Sequence, residues 1–177
     1  MEHLDVLTPE GKPTGKTISK AEVHRTGAWH RAAHVWIVNE AGELLLQLRS
    51  RNKENDPGLW DISVAGHVSA GESARVSALR EVAEEIGLEI REDELHHLFT
   101  FREPRVLNGG KYLDNEFHEV FLLRREVDIA ALELQIEEVE AVKWISQEEL
   151  QALVHARSAE LVAHWEEYEA LLGFLAG

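Results

Sequence analysis

The chain has no cysteine. Disulfides, thiolate metal sites and thiol catalysis are therefore excluded, and the absence suits a reducing compartment, so a cytoplasmic location is expected. Positive charge is also scarce. Eighteen Lys and Arg stand against 33 Asp and Glu, a formal net charge of −15. That balance argues against nucleic acid or an anionic membrane as a partner, and an anionic ligand would need a local basic patch or a bound cation. No apolar run approaches the length of a membrane span. The N-terminal "MEHLDVLTPEGKP" lacks a basic-then-apolar leader pattern. No repeat, low-complexity tract or Pro/Gly/Ser-rich linker divides the 177 residues, so one domain over 1–177 is expected.

The order of elements follows from periodicity and turn chemistry. Residues 1–20 read as a hairpin turning at Pro9-Glu10-Gly11. "HRAAHVWIVNEAGELLLQLRS" gives two strands, Ala32–Val38 and Leu44–Arg49, and "RSRNKENDPG" a loop. "LWDISVAG" is a short buried strand, Ser73 to Ile86 the clearest helix, and "FTFREP", "KYLDNEFHEVFLLRRE" and "EEVEAVKWIS" are further strands. C-terminal helices fill 146–177. Ser146 with Glu149 forms a capping-box pattern, and a similar start is read at Ser158. Strands, helix, strands, then helices point to an α/β or α+β architecture, a mixed sheet covered by helices.

The segment "GHVSAGESARVSALREVAEEIGL", Gly66 to Leu88, carries the chemistry. With Glu81 at zero on a helical wheel, Glu85 falls about 40° to one side and Glu84 about 60° to the other. The three carboxylates thus share one arc. Val76, Leu79, Ala83 and Ile86 collect opposite and are expected to be buried, with Arg75 beside them as a misfit. Ala74, Ser77 and Ala78 lie by the acidic arc and leave room for an approach. Like charges at this spacing repel. A run of glutamates is commonly a solvated face; three on one arc also make an oxygen-rich site suited to a hard divalent cation.

The spacing resembles the Nudix box of the Nudix hydrolase superfamily. Gly66, Glu72, Arg80-Glu81-Val82, Glu84-Glu85 and Gly87-Leu88 occupy every fixed or apolar position of that box. The resemblance implies an α/β/α sandwich with a mixed sheet. It implies Mg²⁺, or Mn²⁺, held by Glu81, Glu84, Glu85 and the Gly66 carbonyl. Glu72 and Arg80 would brace the loop, Gly87 would end the helix, and water would attack a nucleoside diphosphate linked to another moiety.

A second resemblance lies around the box. "PGLWDISVAGHVSAGES" and "HRTGAWHRAAHVWIVN" look like isopentenyl diphosphate isomerase, a Nudix-fold enzyme that moves a double bond. Its metal-binding positions match His24, His30, His67, Asp114 and Glu116, although His24 and His30 are one residue closer together than in that family. Ala65 stands where the isomerase needs a cysteine, and alanine moves no proton. An intact box without that cysteine points to a hydrolase on an isomerase-like branch. Isomerase activity and a catalytically silent nucleotide binder are the alternatives. Arg49, Arg51 and Lys53 are candidates for holding phosphate, with Arg102, Arg105 and Lys111 as a second set. Glu84, Glu116 and Glu138 are candidates for the general base, and Glu85 joins them as catalytic through the metal. Trp60, Phe101 and Phe117 read as core. Trp165 and Tyr168 close the pocket, cover the sheet or meet a second subunit; a homodimer stays open as a partner arrangement beside a small diphosphate substrate.

Overall fold

The computed structural model describes residues 1–177. Strands β1 (His3–Leu7) and β2 (Pro13–Ser19) form a separate two-stranded antiparallel hairpin. A short helix, α1 (Lys20–Thr26), follows. Ser19 caps its start by accepting from the Glu22 N–H, and Gly27 at φ 72° ends it. Periodicity gave no sign of α1, because one turn and a half presents too little repeat to read.

The main sheet comprises β3 (His30–Val38), β4 (Leu44–Arg49), β5 (Trp60–Asp61), β6 (Val64–His67), β7 (Leu95–Leu107), β8 (Tyr112–Arg124) and β9 (Val139–Ile145). Its path runs β5-β4-β3-β8-β7, with β6 added to β3 and β9 to β4. The β3–β8 pair is parallel and every other pair antiparallel, so the sheet is mixed as expected. β3 is buried along nearly its whole length, as a central strand covered on both faces must be. Val35 and Ile37 face helix α2 (Ala74–Ile86) together with Val64, Val82 and Ile86. Trp36 and Val38 face the other way, with Leu44, Leu46, Val120 and Leu122, toward α3 (Gln147–His155) and α4 (Trp165–Ala176). Alternation along one strand thus builds two cores, and the helices form the outer layers.

The register sets the site. Parallel pairing puts His30 beside Glu116 and Ala32 beside His118. Antiparallel pairing puts Ala32 beside His67 and His34 beside Ala65. One end of β3 is therefore apolar and packed, and the other is lined by histidines and acids.

Two expectations need correction. The last helix starts at Trp165, not Ser158. Residues 158–161 turn, and Trp60 N–H donates to the Glu160 carbonyl while Val162 N–H donates to the Trp60 carbonyl, so the backbone there serves the sheet edge. The buried face of α2 is also rotated from the wheel reading. Ala74, Ser77, Ala78, Val82, Glu85 and Ile86 are buried, whereas Val76 is 46% exposed. The small residues admit the sheet itself, close enough that Glu81 and Glu85 turn inward to the cavity rather than to bulk water. Arg75 lies over the Phe121 ring and donates to the carbonyls of Glu92 and Leu95.

Candidate active site

A cavity of about 1310 Å³ opens between the α2 N-terminal loop, the histidine-rich end of β3, β6 and β8, and the loop of residues 50–58. The Glu85 carboxylate, 4% exposed, is held by Gln47 Nε2 at 3.0 Å. Burial first, and then the Glu81 charge, push its pKa up to about 8. Burial raises Glu81 as well, against the pull of Arg80. Glu84 is more open and lies 3.5 Å from Arg80 Nη1. Gly66 is what lets Glu81 sit there, because a Cβ at that position would fall 2.2 Å from Glu81 Cδ.

Arg80 organises the loop. Its Nη1 donates to Glu81 at 2.7 Å, and its Nη2 to Glu72 at 3.3 Å and Ser69 Oγ at 3.1 Å. Ser73 caps α2 by accepting from the Val76 N–H, and Gly87, at φ 67°, receives the chain past the helix end.

A second cluster faces the same cavity. Donor atoms of His24, His30, His67 and Asp114 lie within 4.8 Å of one another. Helix α1 supplies His24, whose ring centroid lies 5.1 Å from that of His30 despite their short separation in sequence. Glu116 Oε1 lies 3.2 Å from His30 Nε2 and 3.3 Å from His67 Nε2, and its Oε2 2.8 Å from His118 Nε2. These partners hold the Glu116 carboxyl well below its usual range despite burial. The same contacts, with Glu2, raise His67 to about 9 against burial. His24 Nε2 and Asp114 Oδ1 are buried with no hydrogen-bond partner. Asp114 Oδ1 comes within 3.2 Å of His24 Nδ1, but not in hydrogen-bonding geometry.

Orphaned polar atoms are costly to bury, and both belong to the cluster of three imidazoles and Asp114. The set fits a divalent transition ion, and the Glu81/Glu84/Glu85 oxygens fit a harder cation. A cation there would also keep Glu85 ionised near neutral pH.

The basic residues divide. Lys53, Arg105 and Lys111 line the cavity; Lys53 pairs with Glu138, and Arg105 with Asp56 at 2.9 Å. Arg49 also lines it, but donates to the Asn55 and Asp56 carbonyls and to Asp61, so it holds the 50–58 loop. Arg51 is displaced from the expected phosphate set. Its side chain is 79% exposed beside Glu140 and lies off the cavity wall. Arg102 is turned away too, over Trp29 and bonded to the Pro9 carbonyl. Trp60 and Phe101 pack beneath the α3–α4 core, and Phe117 meets Trp29. Tyr168 is buried against Trp36 and donates to the Val162 carbonyl, so the last helix covers the sheet.

Sequence reasoning passed over His34, Asp61, Glu103, His118, His164 and Glu167. They sit on five different segments and meet only through the sheet register. The even spacing that puts His30 and His34 on one strand face, and Glu116 and His118 on another, is a signal that could have pointed to His34 and His118.

Residues 28–165 match the family described as NUDIX domain. The chain is 48% identical over 151 residues to Nudix hydrolase 3 of Arabidopsis thaliana, covering 84% of this chain but 20% of that protein. It thus spans about a fifth of that relative's length. An uncharacterized Nudix hydrolase of Listeria innocua is 35% identical over 153 residues, 86% of this chain and 85% of that one. An isopentenyl-diphosphate Delta-isomerase of Salmonella arizonae is 32% identical over 144 residues, 81% and 76% respectively. Among solved structures, DR0079 from Deinococcus radiodurans superposes with a TM-score of 0.75 at 23% identity, over 95% of this chain and 98% of that one, a likeness of fold.

Proposed function

The chain belongs to the NUDIX domain family, and from that premise we propose that it cleaves a diphosphate bond, in a nucleoside diphosphate derivative or related metabolite, with Mg²⁺ at the α2 carboxylates. The observation that carries this reading is Glu85: a buried carboxylate beside Glu81, raised to about 8 by its surroundings, on the wall of an open cavity. Glu81, Glu84, Glu85 and the Gly66 carbonyl would hold the ion, with Mn²⁺ as the nearest substitute. When bound, it polarises a phosphoryl oxygen and acidifies water. The histidine cluster, with Asp114 and Glu116, would hold a second ion, supported by the two orphaned atoms.

The chain's own groups supply the rest. Lys53, Arg105 and Lys111 draw in and orient the diphosphate and offset charge that grows on its oxygens. Arg49 keeps the loop carrying Lys53 in place. Arg80 and Glu72 fix the path of the loop over α2. Glu116 is committed to histidines. Glu84 lines the cavity with its side chain half exposed and is assigned the role of general base, with Glu138 as the other candidate. A cytoplasmic setting belongs to the same proposal and rests on the absence of cysteine.

Isomerase chemistry is disfavoured by Ala65 and by a wall in which 7 of 35 lining residues are hydrophobic. The test runs phosphate release and isopentenyl rearrangement side by side over a panel of diphosphates in Mg²⁺. Hydrolysis products that vanish in Glu85→Gln support the reading. A rearranged prenyl product instead of hydrolysis overturns it, undiminished hydrolysis in Glu85→Gln overturns the metal site, and diphosphate binding with no turnover of either kind favours a silent binder.

A further inference from the structure

The innermost recess of the cavity is walled by Ala32, His34, Asp61, Ala65, Val162 and His164. Ala32 and Ala65 make the space, and the polar side chains around them are fixed from behind. His34 Nδ1–H donates to Glu167 at 2.8 Å, and the core Trp36 Nε1–H donates to the other oxygen of that carboxylate at 3.0 Å. His164 Nδ1–H donates to Glu103 at 2.9 Å. Carboxylates accept only, so each ring gives its Nδ1–H away and keeps Nε2 for other use. His34 Nε2 has no hydrogen-bond partner within the chain. His164 Nε2 stands 3.7 Å from Asp61 Oδ1, longer than a hydrogen bond. Asp61 receives Arg49 at 3.2 Å and the Ile62 N–H at 2.8 Å, and each of its oxygens retains a lone pair.

A structural role does not account for this arrangement. The next residues along the same sheet face, Trp36, Val120 and Leu122, form an ordinary apolar core. Continuing that core would be less costly than burying two imidazoles with Asp61 and Glu167. Rings aimed by carboxylates behind them into an open recess make a preorganised polar binding wall.

We propose that this recess receives a hydroxyl-bearing group attached to the diphosphate, its hydroxyls donating to Asp61 and His34 Nε2 and meeting His164 Nε2. This rests on the diphosphate-cleaving reading above and names the substrate class within it. A vicinal diol suits Asp61 Oδ1 and His164 Nε2, which stand 3.7 Å apart, one hydroxyl donating to the carboxylate while its neighbour meets the imidazole. An isoprenoid chain would strip Asp61 and both imidazoles of partners, the kind of mismatch that a hydrogen-bonding site rejects strongly.

The test compares ADP, 2′,3′-dideoxy-ADP and isopentenyl diphosphate. Binding is read by calorimetry with the full chain in Ca²⁺, and cleavage is followed separately in Mg²⁺. ADP is expected to bind at least about tenfold more tightly than either other ligand. Asp61→Asn and His34→Gln should each lose most of that discrimination while still binding dideoxy-ADP. Should Asp61→Asn fail to fold, His34→Gln alone carries the comparison. Equal affinity for ADP and dideoxy-ADP, or discrimination intact in His34→Gln, overturns the recess as a hydroxyl site. Cleavage of isopentenyl diphosphate as efficient as that of ADP overturns it too and leaves the diphosphatase reading standing. Failure of all three ligands to bind or react overturns both.

Discussion

With Glu85 buried beside Glu81, the metal-free protein carries a proton that the unfolded chain would release. Its carboxyl is raised from 4.5 to about 8. The folded state therefore binds more protons than the unfolded one between these values. Glu85 contributes a stability that falls as pH rises from about 4.5 to about 8 and stays low above. The slope is at most one proton, about 1.4 kcal/mol per pH unit. Chemical denaturation of wild type and Glu85→Gln in chelator across that window should show the slope in the first and not the second. At Gly66, an added Cβ would meet Glu81 Cδ at 2.2 Å. Gly66→Ala should cost about 1–3 kcal/mol in stability, and in the folded fraction it should weaken Mg²⁺ binding, measured by calorimetry, because Glu81 must move. Glu81, Glu84 and Glu85 were legible in the sequence because helical spacing alone gathers them on one arc. His34, His118 and His164 were not: their ring centroids come within 5.5 Å of one another only after β3 and β8 pair in parallel and α4 packs across them.

At the scale of elements, α2 shows what patterning can and cannot supply. Its extent, its Ser73 cap and its Gly87 stop follow from residue chemistry. Its buried face does not, because the wheel assumes that carboxylates seek solvent, and here a cavity lies between helix and sheet. Gly87 sits at φ 67°, where a Cβ would come 2.8 Å from that of Glu133. Gly87→Ala should lose about 1–3 kcal/mol, read as a lower denaturation midpoint, with Mg²⁺ affinity of the folded protein nearly unchanged. That contrast with Gly66→Ala separates helix termination from site construction. Helix α1 was missed for its shortness, yet it places His24. Helix α4 was drawn too long, since the pattern from Ser158 is equally satisfied by a turn whose backbone pairs with Trp60.

At the scale of the molecule, the sheet separates two apolar cores and leaves a polar cleft at one end of its central strands. In a protein of net charge −15, Lys53, Arg105 and Lys111 line that cleft among twelve carboxylates, so an anion entering it needs a bound cation beside those side chains. Mg²⁺, bound by the folded state at the α2 carboxylates, should raise the melting temperature in wild type and leave Glu85→Gln unmoved. The most direct measurement is a calorimetric titration of Mg²⁺ in the presence of a non-hydrolysable methylene diphosphonate nucleotide, on wild type, Glu85→Gln and His24→Ala. The carboxylate site on α2 requires binding in wild type and His24→Ala and its loss in Glu85→Gln. Mg²⁺ binding that survives unchanged in Glu85→Gln would contradict it.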